Sequence, residues 1–171
     1  MEEQTYVIWL EFEEAFTNYL NAKCSELEEN HISEVIRPPH LTLAFVKTDQ
    51  HERLIEYVKN YFLKSKVEVL INSIGQFSGG NIFYAPKANN ELLSLHNDFC
   101  QGLCEIGEQT WDLYYPGNWT PHIALTGELC HEDSVKAFSI MRKGFTNQMV
   151  LANKVLIWAY KGSGEKTYLS I

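Results

Sequence analysis

The sequence holds no apolar run approaching the ~20 residues that a membrane-spanning helix needs, so no membrane partner is expected. Positive charge is missing from the opening MEEQTY, which carries acids where a secretory leader would carry basic residues. A cytoplasmic protein is expected on that ground. Positive charge is also short overall: 14 Lys and Arg stand against 22 Asp and Glu, a formal net charge of −8. Sequence-independent binding of duplex DNA rests on many Lys/Arg–phosphate contacts, and this balance argues against it. A small phosphorylated substrate or a short RNA end stays open, because a local group of donors can hold one phosphate against an unfavourable net charge. Cysteine is scarce, and Cys24, Cys100, Cys104 and Cys130 form no CxxC pair, which argues against a zinc ribbon or a thioredoxin-like site. His96, Cys100 and Cys104 fall at i, i+4 and i+8 of an expected helix. Reduced cysteines packed as small apolar residues are the favoured reading there, and neither metal nor cofactor is expected. Low-complexity tracts, charged tails and long linkers are lacking as well.

What is present is enough for a sizeable interior. The 171 residues are 45% hydrophobic, with nine Phe, nine Tyr and four Trp, which suits one well-buried domain over 1–171 built as two lobes sharing a core. A monomer is expected. Residues 5–12 read as a strand rich in aromatic and β-branched side chains. Residues 13–30 read as a helix with Phe16, Leu20, Cys24 and Leu27 on one stripe. Residues 40–46 are a strand, 49–64 a helix with Asp49 as its cap, and 66–77 a strand turning through SGGN into a strand at 81–86. A helix at 90–105, an aromatic loop WDLYYPGNW, a strand at 119–126, a helix at 131–144 and a strand at 148–160 follow. KGSGE then turns into a last strand at 166–170. The SGG of the first turn lacks a following helix, so it is read as a hairpin and not as a phosphate loop.

Two phrases repeat. PPHLTLAFV occupies 38–46 and TPHIALTG occupies 120–127, placing His40 and His122 82 positions apart (122 − 40), nearly half the chain. Each phrase is followed by a helix and a long strand, and each half opens with strand then helix. The expectation is an α+β fold of two β-α-β-α-β units, bilobal, related by approximate two-fold symmetry around a central cleft. Matching strands are expected face to face across that cleft. Alternation puts His40, Thr42 and Ala44 on one face of the first strand and Leu41, Leu43 and Phe45 on the other. In the second phrase His122, Ala124 and Thr126 share a face. The Pro ahead of each His fixes φ and lacks an N–H, which suits a strand entry. A His on a rigid strand end, with an ordinary pKa of ~6.5, is placed for general acid–base chemistry, and a hydroxyl two residues on can bind a phosphate oxygen.

This pattern resembles the two-histidine (2H) phosphoesterase superfamily, which includes the RNA 2′,3′-cyclic phosphodiesterases and the 2′-5′ RNA ligases. The family signature is two His-x-Thr/Ser motifs, each on a strand and flanked by apolar residues. HLTL at 40–43 matches it fully, while HIAL at 122–125 matches the His and the apolar flank but not the hydroxyl. The resemblance implies metal-independent hydrolysis of a 2′,3′-cyclic phosphate, on an RNA end or a small nucleotide, with ligation a further possible activity. It implies His40 and His122 as the acid–base pair and Thr42 as one phosphate clamp. Ala124 removes the other half of the clamp. The alternative reading is therefore a nucleotide- or phosphate-binding protein with eroded catalysis.

Thr126 faces the expected side but sits ~6–7 Å further along the strand, and Thr120, two residues before His122, stands at a similar remove on the other side, so neither simply replaces the missing hydroxyl. Backbone N–H groups or a Tyr of the aromatic loop are other candidates for the missing donor. Arg37 is read as assisting phosphate binding, and an aromatic among Tyr114, Tyr115 and Trp119 as stacking on a base, with Tyr115 and Trp119 favoured, against the plainer reading that the aromatics pack a loop and Arg37 is a solvated turn residue. His31, His51, His96 and His131 have no repeat partner and are read as surface or helix-packing residues.

Overall fold

The structure, a computed structural model, describes residues 3–161 and 163–171. Met1 and Glu2 of the acidic opening and Gly162 of the KGSGE turn lie outside the described residues. The first half of the chain runs β1 (Gln4–Phe12), α1 (Glu14–Glu29), β2 (Leu41–Thr48), α2 (His51–Phe62) and β3 (Val67–Gln76). The second runs β4 (Ile82–Pro86), α3 (Asn90–Leu103), β5 (Glu108–Gln109), β6 (Ile123–Ala124), α4 (His131–Arg142), β7 (Gln148–Lys161) and β8 (Lys166–Ser170), with a 3₁₀ turn at Asp112–Tyr114. No helix among the described residues is long and apolar enough to cross a membrane.

The apolar stripe of α1 is buried as its spacing requires, through Phe16, Leu20, Cys24 and Leu27. The β3–β4 hairpin closes with the Phe77 and Gly80 amides donating to Asn81 and Phe77 carbonyls. Gly80 has φ +88°, and a Cβ there would run into the Leu129 carbonyl, so only glycine fits. The expected cap Asp49 is not used. Helix α2 begins at His51 behind Gln50, whose N–H is taken by the Thr48 hydroxyl at 3.0 Å. Helix α3 is capped by Asn89, whose side chain accepts from the Leu92 amide.

The described strands pair antiparallel in the order β1-β2-β6-β4-β3-β7-β8, with β5 added to β2 and with β7 also paired to β1. Six strands therefore close a circuit, and that circuit has the symmetry of the sequence repeat. Exchanging β1 with β4, β2 with β6 and β3 with β7 maps every pairing of the circuit onto another. β1–β2 becomes β4–β6, β1–β7 becomes β4–β3, and the β2–β6 and β3–β7 pairs map onto themselves. The helices obey the same exchange, with α1 against α4 and α2 against α3. The duplicated α+β expectation is met, with one correction. The matching strands β2 and β6 do not face each other across a gap; they are hydrogen-bonded antiparallel neighbours, and the approximate two-fold axis passes through their seam, across the strands.

Each copy carries a bulge just past its motif. Trp9 pairs with Thr42 and Ile8 with Ala44, which leaves Leu43 extra. In the second copy Phe83 pairs with Ala124, and the Ile82 carbonyl accepts from both the Leu125 and Thr126 amides. An extra residue reverses the inward–outward alternation beyond it. Ala44 and Val46 therefore enter the main core with Leu41 and Leu43, whereas Phe45 joins Val7, Trp9 and Leu156 on the opposite face. This corrects the plain alternation, which put Phe45 in the core and Ala44 beside His40. The kink also explains why the strand expected over 119–126 is reduced to Ile123–Ala124: Pro121 offers no N–H, and two amides converge on one carbonyl.

Candidate active site

The register of the central seam builds the site. Leu41 lies directly opposite Ile123. Continuing the antiparallel register one residue each way sets His40 opposite Ala124 and Thr42 opposite His122, all four on the face turned away from Leu41 and Ile123. Directly opposed residues are about 4.5–5.5 Å apart and diagonal ones about 7–8 Å. The two histidines thus occupy one diagonal of a small square, and Thr42 and Ala124 the other. Reach to a single phosphorus follows from this spacing.

The imidazoles are held in matching ways. His40 Nδ1 lies 2.7 Å from the Pro38 carbonyl, and His122 Nδ1 lies 2.7 Å from the Thr120 carbonyl. A carbonyl only accepts, so each Nδ1 carries a proton and each Nε2 is left facing the site as a base when neutral or a donor when charged. The intervening prolines, Pro39 and Pro121, are buried and set the turn that brings the carbonyl two residues back under the ring. Symmetry-related aromatics flank the rings. Trp9 of β1 stacks on His40 at 4.3 Å, and Phe83 of β4 meets His122 edge-on at 5.5 Å, with Phe77 at 4.9 Å.

Burial among these rings lowers both histidine pKa values below the ordinary range. The carbonyl bonds oppose that shift in each. For His40, nearby Glu11 also opposes it and the charge of His122 adds to it. The interaction between the two histidines agrees with their place on one diagonal.

Thr42 is nearly buried at 8% exposure. Its carbonyl accepts from Trp119 Nε1 at 3.1 Å, and the next carbonyl, Leu43, is bonded by His96 Nε2 at 2.9 Å. These two side chains stack on each other at 3.9 Å. The bulge takes carbonyls out of the regular ladder, and this buried pair satisfies them. Trp119 is therefore a support of Thr42 and not a platform for a base, and His96 is a packing residue as expected. Cys100 Sγ is 3.5 Å from His96 Nε2, yet among the described residues no three His, Cys, Asp or Glu side chains form a group that could hold a metal.

Three further expectations are corrected. Arg37 points away along α1, its Nε and Nη2 held by Glu28 at 2.8 and 3.0 Å and by Ser25. Tyr115 turns its hydroxyl onto the Gln109 carbonyl at 2.6 Å, beside Cys100 and Cys104. Thr126 is fully buried, and its Oγ1 accepts from the Ile82 amide at 2.9 Å. The bulge at Leu125 turned it off the histidine face.

Of the loop aromatics, it is the neighbouring Tyr114 that lies at the histidine pair. It ends the 3₁₀ turn, its ring lies 6.5 Å from His122 and 5.0 Å from Phe45, and its phenol neighbours the Thr42 hydroxyl. Beside His122 opens a cavity of about 420 Å³ whose lining includes Tyr114, Trp111, Leu113, Phe77, Asn118 and Glu128. That volume suits a nucleoside-sized group. Trp111 and Leu113 are exposed at its edge.

No curated protein matches this chain in sequence. Among solved structures, Escherichia coli LigT complexed with ATP is similar at 14% identity and a TM-score of 0.61, over 100% of this chain and 96% of that one. LigT complexed with 3′-AMP gives 14% and 0.62, over 99% and 96%. A protein described as a phosphoesterase gives 12% and 0.60, over 99% and 96%. At such identities the likeness is one of fold. The family model of the 2′-5′ RNA ligase superfamily matches residues 27–164, which contain both histidine phrases, and the chain belongs to that superfamily.

Proposed function

We propose that this protein is a phosphodiesterase that opens a 2′,3′-cyclic phosphate by histidine–histidine acid–base catalysis. The observation that carries this reading is the pair of imidazoles on one diagonal of the β2–β6 seam, each with Nδ1–H fixed on a backbone carbonyl and Nε2 free. One neutral Nε2 takes a proton from water as its oxygen bonds to phosphorus. The other, protonated, gives its proton to the ribose 3′ oxygen as that P–O bond breaks, leaving a 2′-phosphate. The site is complementary to one phosphodiester: Thr42 holds a non-bridging oxygen, and the cavity beside His122 takes the nucleoside. That LigT has been crystallised with ATP, with 3′-AMP and with phosphate agrees with a nucleotide site in this fold.

The competing reading, capture without turnover, is favoured by Ala124. One assay separates the two. Adenosine 2′,3′-cyclic phosphate is incubated with wild type, His40→Ala and His122→Ala, and release of the 2′-phosphate is followed. Loss of a general acid or base costs ~10²–10⁴ in rate, and each variant is expected to fall in that range. Wild-type turnover in both variants would overturn the catalytic assignment, and a wild type that binds but never turns over would establish the alternative.

A further inference from the structure

Ala124 leaves the site one hydroxyl short, and Thr126 cannot make it good, since it is buried on the Ile82 amide. Thr120, whose carbonyl holds His122 Nδ1, and Ser78 line the cavity beside His122, but the hydroxyl that neighbours Thr42 comes from elsewhere. Tyr114 enters from the 3₁₀ turn, an insertion between α3 and β6 with no counterpart in the first unit, and its phenol neighbours the Thr42 hydroxyl. Its ring is wedged against Phe45 at 5.0 Å and Trp111 at 6.1 Å, lies 6.5 Å from His122, and forms part of the wall of the cavity that His122 lines. With Leu41 opposite Ile123, Thr42 stands opposite His122 across the seam, so the phenol, the Thr42 hydroxyl and the His122 imidazole lie along one side of the square.

Resting on the phosphodiesterase reading, we propose that the Tyr114 phenol is the second phosphate donor of this site, supplied from a loop in place of the strand hydroxyl that Ala124 lacks. In the free protein the two hydroxyls are neighbours. With a phosphodiester bound, both donate to its non-bridging oxygens, and the charge that builds there in the transition state meets two donors from the Thr42 side. The clamp is thereby lopsided, with two donors on the Thr42–His122 side. The 3₁₀ turn accordingly belongs to the catalytic machinery, although the repeat has no counterpart for it.

The test uses Tyr114→Phe, which keeps the ring and its packing. Adenosine 2′,3′-cyclic phosphate turnover is measured together with the affinity for adenosine 2′-monophosphate and for adenosine. Removing one donor of an oxyanion site costs ~10²–10³ in kcat. With Thr42 still present, about 10–100-fold is expected, borne mainly by kcat. Binding of adenosine 2′-monophosphate should weaken while binding of adenosine stays unchanged. Adding Ala124→Thr to the Tyr114→Phe variant should recover part of the loss, a response that a packing role would not give. Turnover and monophosphate affinity within twofold of wild type would overturn the proposal. So would equal weakening of adenosine and its monophosphate, since the phenol would then serve the base and not the phosphate. Should His40→Ala and His122→Ala leave turnover intact, the hydrolytic reading falls, while the two affinities still decide whether Tyr114 holds phosphate.

Discussion

At the scale of single residues, protonation governs the site. His40 and His122 are both pushed below the ordinary imidazole range, chiefly by burial against Trp9, Phe77 and Phe83. Acid–base catalysis needs one of them charged and one neutral, so the productive fraction of free enzyme peaks at the mean of two lowered values. A bell-shaped kcat/KM profile centred below pH 6.5 is expected. Bound phosphodiester places negative charge beside both rings and favours their charged forms, so the kcat profile should centre higher than that of kcat/KM. A kcat/KM optimum above pH 7 would contradict this order. Stability follows the same sign: a histidine whose folded pKa is depressed contributes fully above its unfolded value of ~6.5 and less as the pH falls toward the folded one. Residue types at this scale were legible in the sequence, His40, Thr42, His122 and the missing hydroxyl among them. The direction of Arg37 was not, because it depends on where Glu28 and Ser25 stand on α1, a matter of tertiary placement and not of spacing.

At the scale of elements, the repeat and the order of strands and helices could be read from periodicity and from the two Pro-His phrases. The bulges at Leu43 and Leu125 could not. An inserted residue leaves no mark in the apolar pattern when both flanking faces are buried, as they are around Phe45 and Thr126. Those bulges decided which expectations failed: they turned Thr126 inward, brought Phe45 to the site, and freed the carbonyls that Trp119 and His96 now hold. Tyr114 and Tyr115 are adjacent and chemically identical, and only the 3₁₀ turn sends one to Thr42 and the other to Gln109. The support role of Trp119 makes a stability prediction. Trp119→Phe removes the indole N–H from the Thr42 carbonyl and leaves a buried acceptor unpaired, which costs about 1–3 kcal/mol. For a chain of this size that corresponds to about 2–12 °C in Tm by thermal denaturation. An unchanged midpoint would mean that Thr42 is held by the β-ladder alone.

At the scale of the whole molecule, charge and symmetry act together. The two-fold circuit makes a site at its own seam, which is why two weak motifs far apart in sequence become one constellation. The field around that seam is not basic. The net charge is −8, Glu11 lies near His40, Glu128 lines the cavity beside His122, and Arg37 is engaged with Glu28. Lys166 stands over Trp158 at 5.4 Å, on the ring that meets Trp9. On the proposed phosphodiesterase reading, phosphate is held by hydroxyls and imidazoles at short range, against an unfavourable long-range potential. Screening weakens that potential beyond a Debye length of ~10 Å and leaves the short hydrogen bonds intact. It follows that kcat/KM for a singly charged cyclic mononucleotide should hold steady or rise between about 50 and about 200 mM salt, whereas a protein with many Lys/Arg–phosphate contacts loses affinity by orders of magnitude over the same interval. The measurement is initial rate at low substrate across a salt series. A steep fall would show that a basic surface, and not the seam, governs encounter with the substrate. For an RNA end, each added phosphate meets the same acidic field, so the rise with salt should be steeper for a short oligonucleotide than for the mononucleotide.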